Sequence, residues 1–388
     1  MSPGIDREAA SRSRVALDSA RRGVSDINPQ TTVWLPKPSG ALAARLSASA
    51  PVWQRYPTRH HAYSGGMSHL SLMLAAQASA AVPGLTLVST TDMSDGDKDA
   101  ALATDTDSRA WLVELPRTDS EELNARERIE ALRAIGEGLR SRVGFALPRI
   151  HGEINVRGKT LTVAEWLPGF RITTAQVTPA LAGSIAEAMA TIHSIPSSAL
   201  YDQGRPIHSA NDAQRTAVGI VDRAAQTTLL PQSLLRRWEA AYEDPELWQF
   251  EPTIIHGGLR VDSFLVEGDR VTAMTGWRAL QVGDPARDVA WVTAPTAKAL
   301  QAGVENAYRG HRASADRRIF QRARFWAELD IARWLLHGMD HGDEEVTRKA
   351  TAQINELHDR VGGDMDSALT EPLTQTPHPL APPKDSTE

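Results

Sequence analysis

Apolar and polar residues follow two rhythms along this chain, and the switch between them divides it. From 68 to 81, SHLSLMLAAQASAA sets Leu70, Leu72 and Leu74 among alanines, a composition of strong helix formers that Val82-Pro83-Gly84 stops. Short runs bounded by turn residues follow at 85–89, 100–104 and 110–115. They predict three strands, with turns at 92–99 (DMSDGDKD) and 105–109. Helical spacing returns at 120–140, SEELNARERIEALRAIGEGLR, where Ser120 is the expected N-cap. Two more strands are expected at 150–156 and 160–166, ahead of Leu167-Pro168-Gly169.

Beyond Gly169 the pattern is mainly helical. Helices are expected at 180–193, 211–226, 231–243, 296–311, 315–338 and 343–361. One stretch between them, 254–274, holds short strand-like runs at 254–255, 263–266 and 271–274. Strands early and helices late predict an α+β protein.

Length and charge narrow the picture. With 388 residues there is ample chain to bury a core. A net charge of −6 gives no reason to expect nucleic acid or an anionic membrane as a partner. No apolar run approaches the length of a membrane span. Cysteine is absent, which excludes thiol chemistry and fits a reducing cytoplasm, the expected location. Residues 1–66 stand apart, with nine Arg/Lys against four Asp/Glu and many Ser, Pro and Ala. They are read as a disordered basic extension, and the Pro/Thr-rich 366–388 as a disordered tail.

The most informative stretch is IIHGGLRVDSFLVEGDRVTAMTGWRALQVGDPARDVAW, residues 254–291. An apolar run enters a His-Gly-Gly turn, a hairpin turns at Glu267-Gly268-Asp269, and Trp277 precedes a Gly-Asp-Pro corner. This order resembles the catalytic core of the aminoglycoside/macrolide phosphotransferase family, whose consensus reads roughly H-G-D-x-x-x-x-N, hairpin, I-D-W, G-D-P-x-x-D. The resemblance implies a two-lobe, protein-kinase-like fold. Its N-lobe, with an antiparallel sheet, would span 67–166, and its mostly helical C-lobe 167–365.

What the family needs for phosphoryl transfer is a carboxylate at the D of H-G-D to accept a proton. It also needs an Asn and an Asp to hold magnesium. Here those positions carry Gly258, Ser263 and Gly276, while His256, Gly257, Trp277, Asp284 and Asp288 of the scaffold are kept. The third-strand cation of the family falls on Glu114, which reverses the sign of its interaction with phosphates. Glu127 and Glu130 would occupy the helix that normally answers that cation, and no ion pair with Glu114 is expected. By the same resemblance, backbone groups at Glu165, Trp166 and Leu167 form the inter-lobe hinge. Asp288 anchors the His-Gly loop, and Asp284 braces it.

The resemblance therefore implies a phosphotransferase-family protein with impaired catalysis, binding a small molecule or a protein in its cleft. No cofactor is expected. ATP and magnesium enter only under the alternative, an active small-molecule kinase in which Asp262 supplies the missing carboxylate. His337 and His341 sit four apart but lack a third ligand, and His341-Gly342-Asp343 follows a helix; neither is read as a site.

Overall fold

The computed structural model describes residues 68–294 and 297–361, together with Leu369. The expectations for 1–66 and for most of 366–388 lie outside the described residues. Within them, a 13-residue helix α1 (His69–Ala81) is capped by the Ser68 hydroxyl, which accepts from Ser71 N–H. Five antiparallel strands follow: β1 (Leu87–Asp92), β2 (Lys98–Asp105), β3 (Ala110–Pro116), β4 (Ile150–Val156) and β5 (Lys159–Glu165). They form one sheet in the order β1-β2-β3-β5-β4.

Alternation decides what each sheet face meets. On β3, Trp111, Val113 and Leu115 are buried and pack with Leu74 and Ala78 of α1 and with Leu161 and Val163 of β5. Leu112 and Glu114 therefore belong to the opposite face. Ala100 stands directly across from Glu114, so Lys98, two residues before it on β2, shares that face.

Helix α2 (Asp119–Ala134) links the sheet to the second lobe. Its N-cap is Thr118, whose hydroxyl accepts from Glu121 N–H, and not Ser120; the cap lies just past the strand end at Pro116. Nor is 120–140 one helix. It stops at Ile135, Gly136 intervenes, and a single turn, Glu137–Arg140, follows.

The second lobe holds α3 (Pro179–His193), α4 (Ala210–Ala225), α5 (Gln232–Glu243), α6 (Lys298–His311), α7 (Ile319–His341) and α8 (Glu344–Val361). Gly342 closes α7 in the left-handed conformation, so the His341-Gly342-Asp343 tripeptide is a helix-to-helix turn. Residues of these helices and of the strands between them share one buried cluster that includes Trp238, Trp277, Phe325 and Trp326.

Four short strand segments come after the five-stranded sheet in the chain: β6 (Phe170–Arg171), β7 (Thr253–Ile255), β8 (Phe264–Glu267) and β9 (Arg270–Met274). β6 pairs with β8, which pairs with β9, while β7 pairs with β10 (Gln281–Gly283). β6 and β10 are too short to show a period, which is why the residue pattern does not announce them.

The architecture is thus an antiparallel-sheet lobe followed by a helical lobe, the kinase-like α+β arrangement. Among the described residues, no helix is long and apolar enough to cross a membrane.

Candidate functional site

The loop after β7 is fixed from below by one carboxylate. Asp288 is fully buried and accepts from His256 N–H at 2.6 Å and from Gly257 N–H at 2.8 Å. Its Oδ2 also lies 3.3 Å from His193 Nε2, and His193 Nδ1 is 2.7 Å from the Tyr308 hydroxyl. Burial alone would push the Asp288 carboxyl up. The His193 hydrogen bond and the neighbouring imidazoles outweigh it and hold the group below the usual carboxylate range.

Gly257 completes the turn: its φ is +82°, and a Cβ there would come 2.2 Å from the Ala279 carbonyl oxygen. His256 is buried, donates from Nε2 to the Thr275 carbonyl at 2.8 Å, and rests 4.8 Å from the Trp277 ring. Burial pushes its pKa down, so the imidazole is neutral and holds the loop by hydrogen bonding.

Asp284, expected to brace the loop and cap the following helix, accepts at the start of that helix and also reaches α7. Its Oδ2 accepts from Arg322 Nε at 2.8 Å and Trp326 Nε1 at 2.7 Å, so it ties the Gly-Asp-Pro corner to α7, and Oδ1 accepts from Ala286 N–H. Trp277 donates to the Met274 carbonyl at 2.9 Å and is buried.

Of the three positions at which the resemblance expects chemistry, the structure places two, 263 and 276, side by side. A Cβ at Gly258 would meet nothing within 4 Å, so this position opens onto free space. At Gly276 (φ +91°) a Cβ would lie 3.4 Å from the His256 ring and 3.8 Å from Ser263 Oγ. Ser263 is buried, and its hydroxyl accepts from Arg260 N–H at 3.2 Å. Two glycines and one hydroxyl, already engaged, do not fit magnesium, a hard cation that takes carboxylate oxygens. Asp262 is about half exposed, with Arg260 Nε 3.4 Å from its Oδ1. Its carbonyl accepts from Arg171 Nη1 at 2.9 Å.

The opposite wall departs from the sequence reading most. Glu114 does form ion pairs, with the polarity of the strand–helix pair reversed. Its Oε1 is 2.5 Å from Lys98 Nζ on β2, and its Oε2 is 3.2 Å from Arg128 Nη2 on α2. Burial pushes the Glu114 carboxyl up, but Arg128 and Lys98 more than offset this and hold it ionised. Glu127 and Glu130, the acids expected at this place on α2, do not pair with Glu114; Arg128 on the same helix does. Glu127 instead lies 3.6 Å from Arg278, just past Gly276, linking α2 to the second lobe.

The acidic turn at 92–99 is also less repulsive than its composition suggests. Asp92 accepts from Ser94 N–H, Asp95 from Asp97 and Lys98 N–H, and Asp99 pairs with Arg117 at 2.5 Å.

At the hinge, Trp166 N–H donates to the Ala110 carbonyl at 2.9 Å, Glu165 faces His151 at 3.3 Å, and Leu167 leads into Pro168. Gly169 (φ +99°) is pressed against the β8–β9 hairpin, where a Cβ would reach 2.3 Å from Thr272 Oγ1. Among the described residues no group of three or more His, Cys, Asp or Glu is placed to hold a metal.

Among solved structures, macrolide 2'-phosphotransferase type I is 25% identical with a TM-score of 0.58, the match covering 73% of this chain and 94% of that one. MphH from Brachybacterium faecium, a macrolide 2'-phosphotransferase solved as the apoenzyme, is 22% identical with a TM-score of 0.58, covering 78% and 99%. The GDP and kanamycin complex of APH(2")-IIIa has a TM-score of 0.60 at 16% identity, covering 74% and 99%. The last two speak for the fold alone. No curated protein gave a match. A model of the phosphotransferase enzyme family matches residues 93–326, which takes in β2 to β5 of the sheet, the hinge and the His-Gly loop, and the chain belongs to that family.

Proposed function

We propose that this protein binds a small molecule or a protein partner in the cleft between its lobes and transfers phosphate poorly or not at all. One observation carries the reading. The His-Gly turn is held by Asp288 and positions 263 and 276 are neighbours, yet 258, 263 and 276 offer no carboxylate. Without a general base, a rate loss of roughly 10²- to 10⁴-fold is expected. Losing the metal ligands removes the electrostatic stabilisation of the transferring group, usually the larger contribution. Asp262 is the nearest substitute in sequence, but its side chain faces Arg260 and no second acid joins it in a metal-binding group among the described residues.

The test is a thermal-shift titration with ATP in magnesium and in EDTA, followed by a turnover assay. No magnesium-dependent stabilisation and no turnover above background are expected. Turnover that Asp262→Ala abolishes would overturn the reading in favour of an active small-molecule kinase.

A further inference from the structure

The two edges of the five-stranded sheet are protected differently. β4 carries Glu153, which pairs with Arg133, and His151, 3.3 Å from Glu165; Arg149 and Arg157 bound it. Charges of this kind keep other strands away from an edge. The opposite edge, β1, reads Leu87-Val88-Ser89-Thr90-Thr91 before Asp92, a run without charge or proline. Among the described residues no strand pairs with β1 on its outer side.

Apolar side chains flank that edge. In the pairing with β2, Val88 is the extra residue of an irregularity between Leu87 and Ser89, and it is 61% exposed. Helix α1 runs alongside: Ser68 Oγ donates to Asp92 Oδ2 at 2.9 Å, and Thr90 Oγ1 donates to Ser71 Oγ at 3.0 Å. Leu72, one turn beyond Ser68, is on the same side of the helix and is 47% exposed. From Ser89 to Asp92 the register with β2 is regular, so alternate residues turn their N–H and C=O groups outward.

Charge decides the chemistry of the occupant. At one end of β1, Asp92, Asp95, Asp97 and Asp99 have Lys98 and Arg117 as their cations. Lys98 is shared with Glu114, whose second oxygen takes Arg128. At the other end Leu87 stands across from Asp105, and Asp105 and Asp107 have Arg109. Backbone N–H groups answer Asp92, Asp95 and Asp105 but carry no net charge. Both ends of an uncharged strand are therefore acidic. An acidic strand would be repelled, and so would a second copy of β1 laid antiparallel, since each acidic end would meet the other's.

We propose that the outer edge of β1 takes an extended, basic segment of a partner protein as a sixth strand of this sheet. Its backbone continues the ladder, alternate apolar side chains cover Val88 and Leu72, and arginine or lysine near its ends meets the two acidic turns. No residue of 256–263 or 276 takes part, so the proposal does not rest on the reading of the cleft.

Fluorescence polarisation of the full chain with labelled hexapeptide pools tests it. One pool alternates valine or leucine with arginine. A second replaces the arginine by glutamate, and a third is the first with alternate backbone nitrogens methylated. Saturable binding of the first pool is expected, weakening as salt rises. The glutamate and N-methylated pools should bind at least about tenfold more weakly. Val88→Lys, a charge on an exposed edge position, should cost a similar factor, while Asn155→Lys on β4 should leave binding unchanged.

Failure of the first pool to bind, equal binding of the N-methylated pool, or a loss in Val88→Lys no larger than in Asn155→Lys would overturn it. So would sedimentation showing a dimer that Val88→Lys dissociates, because a second copy would then occupy the edge. ATP turnover would sink the reading of the cleft and leave this edge untouched, whereas failure of the first pool would do the reverse.

Discussion

Gly276 faces Ser263 across the loop: a Cβ built on the glycine lies 3.8 Å from the serine hydroxyl. Two positions that would share a metal in the family therefore remain neighbours after their ligands have gone. The His256 ring, 3.4 Å from the same Cβ, and the Thr275 N–H bond to the Ser263 carbonyl at 2.8 Å keep them so.

That relationship makes reversion feasible. Gly258 opens onto free space, and the left-handed backbone at Gly276 is one that aspartate tolerates at a cost of about 1 kcal/mol. In the triple variant Gly258→Asp, Ser263→Asn, Gly276→Asp, ATP should raise the melting temperature in magnesium and not in EDTA, a difference the parent should lack. A folded variant with no magnesium dependence would show that the frame no longer fits a metal.

The two adjacent glycines of the turn should behave in opposite ways. Gly257→Ala meets both a left-handed φ and the Ala279 carbonyl, and should destabilise by more than about 2 kcal/mol. Gly258→Ala has neither obstacle and should change stability by less than about 1 kcal/mol. Urea denaturation of the pair separates loop geometry from loop chemistry.

Reversing Glu114 alone should be costly, because Glu114→Lys would set a cation between Lys98 and Arg128. Adding Arg128→Glu should restore part of the loss. A double-mutant cycle by denaturation is expected to give a favourable coupling on the order of 1–3 kcal/mol. Additive effects would mean that the strand–helix pair contributes nothing to holding α2 against the sheet.

Acidification should weaken the fold through His256. Burial lowers its folded-state pKa below the ordinary 6.5, so the unfolded chain binds more protons between those two values. Its contribution is fully present above the ordinary value and is lost as pH falls below it. Asp288, whose folded pKa is also depressed, adds stability above its ordinary 3.8 that disappears as pH falls through the lower folded value. Unfolding free energies at about pH 7.5, 6.0 and 5.0 should decline with acid, and less steeply in His256→Gln.

Much of the fold was legible because its signals are local. A strand expected at 150–156 is Ile150–Val156, and a helix expected at 180–193 is Pro179–His193. Side-chain period and turn chemistry suffice for such elements. The same local reading placed the cap at Ser120 because it looked for a hydroxyl at the start of the helical pattern. Where β3 ends made Thr118 the cap instead.

By itself, the sequence determined the inventory: a His-Gly turn, a Gly-Asp-Pro corner, and glycine, serine and glycine where proton acceptor and metal ligands would stand. Those are facts of residue identity at fixed spacing, and no folding can supply a missing carboxylate. Only the tertiary structure decided the charge of the cleft wall. Glu114 reads as a lone acid until β2 and α2 bring Lys98 and Arg128 to its two oxygens, from 16 residues before it in one case and from the next helix in the other. Electrostatics depends on distance in space, and that distance is set by strand register and helix docking, neither of which any window of residues contains.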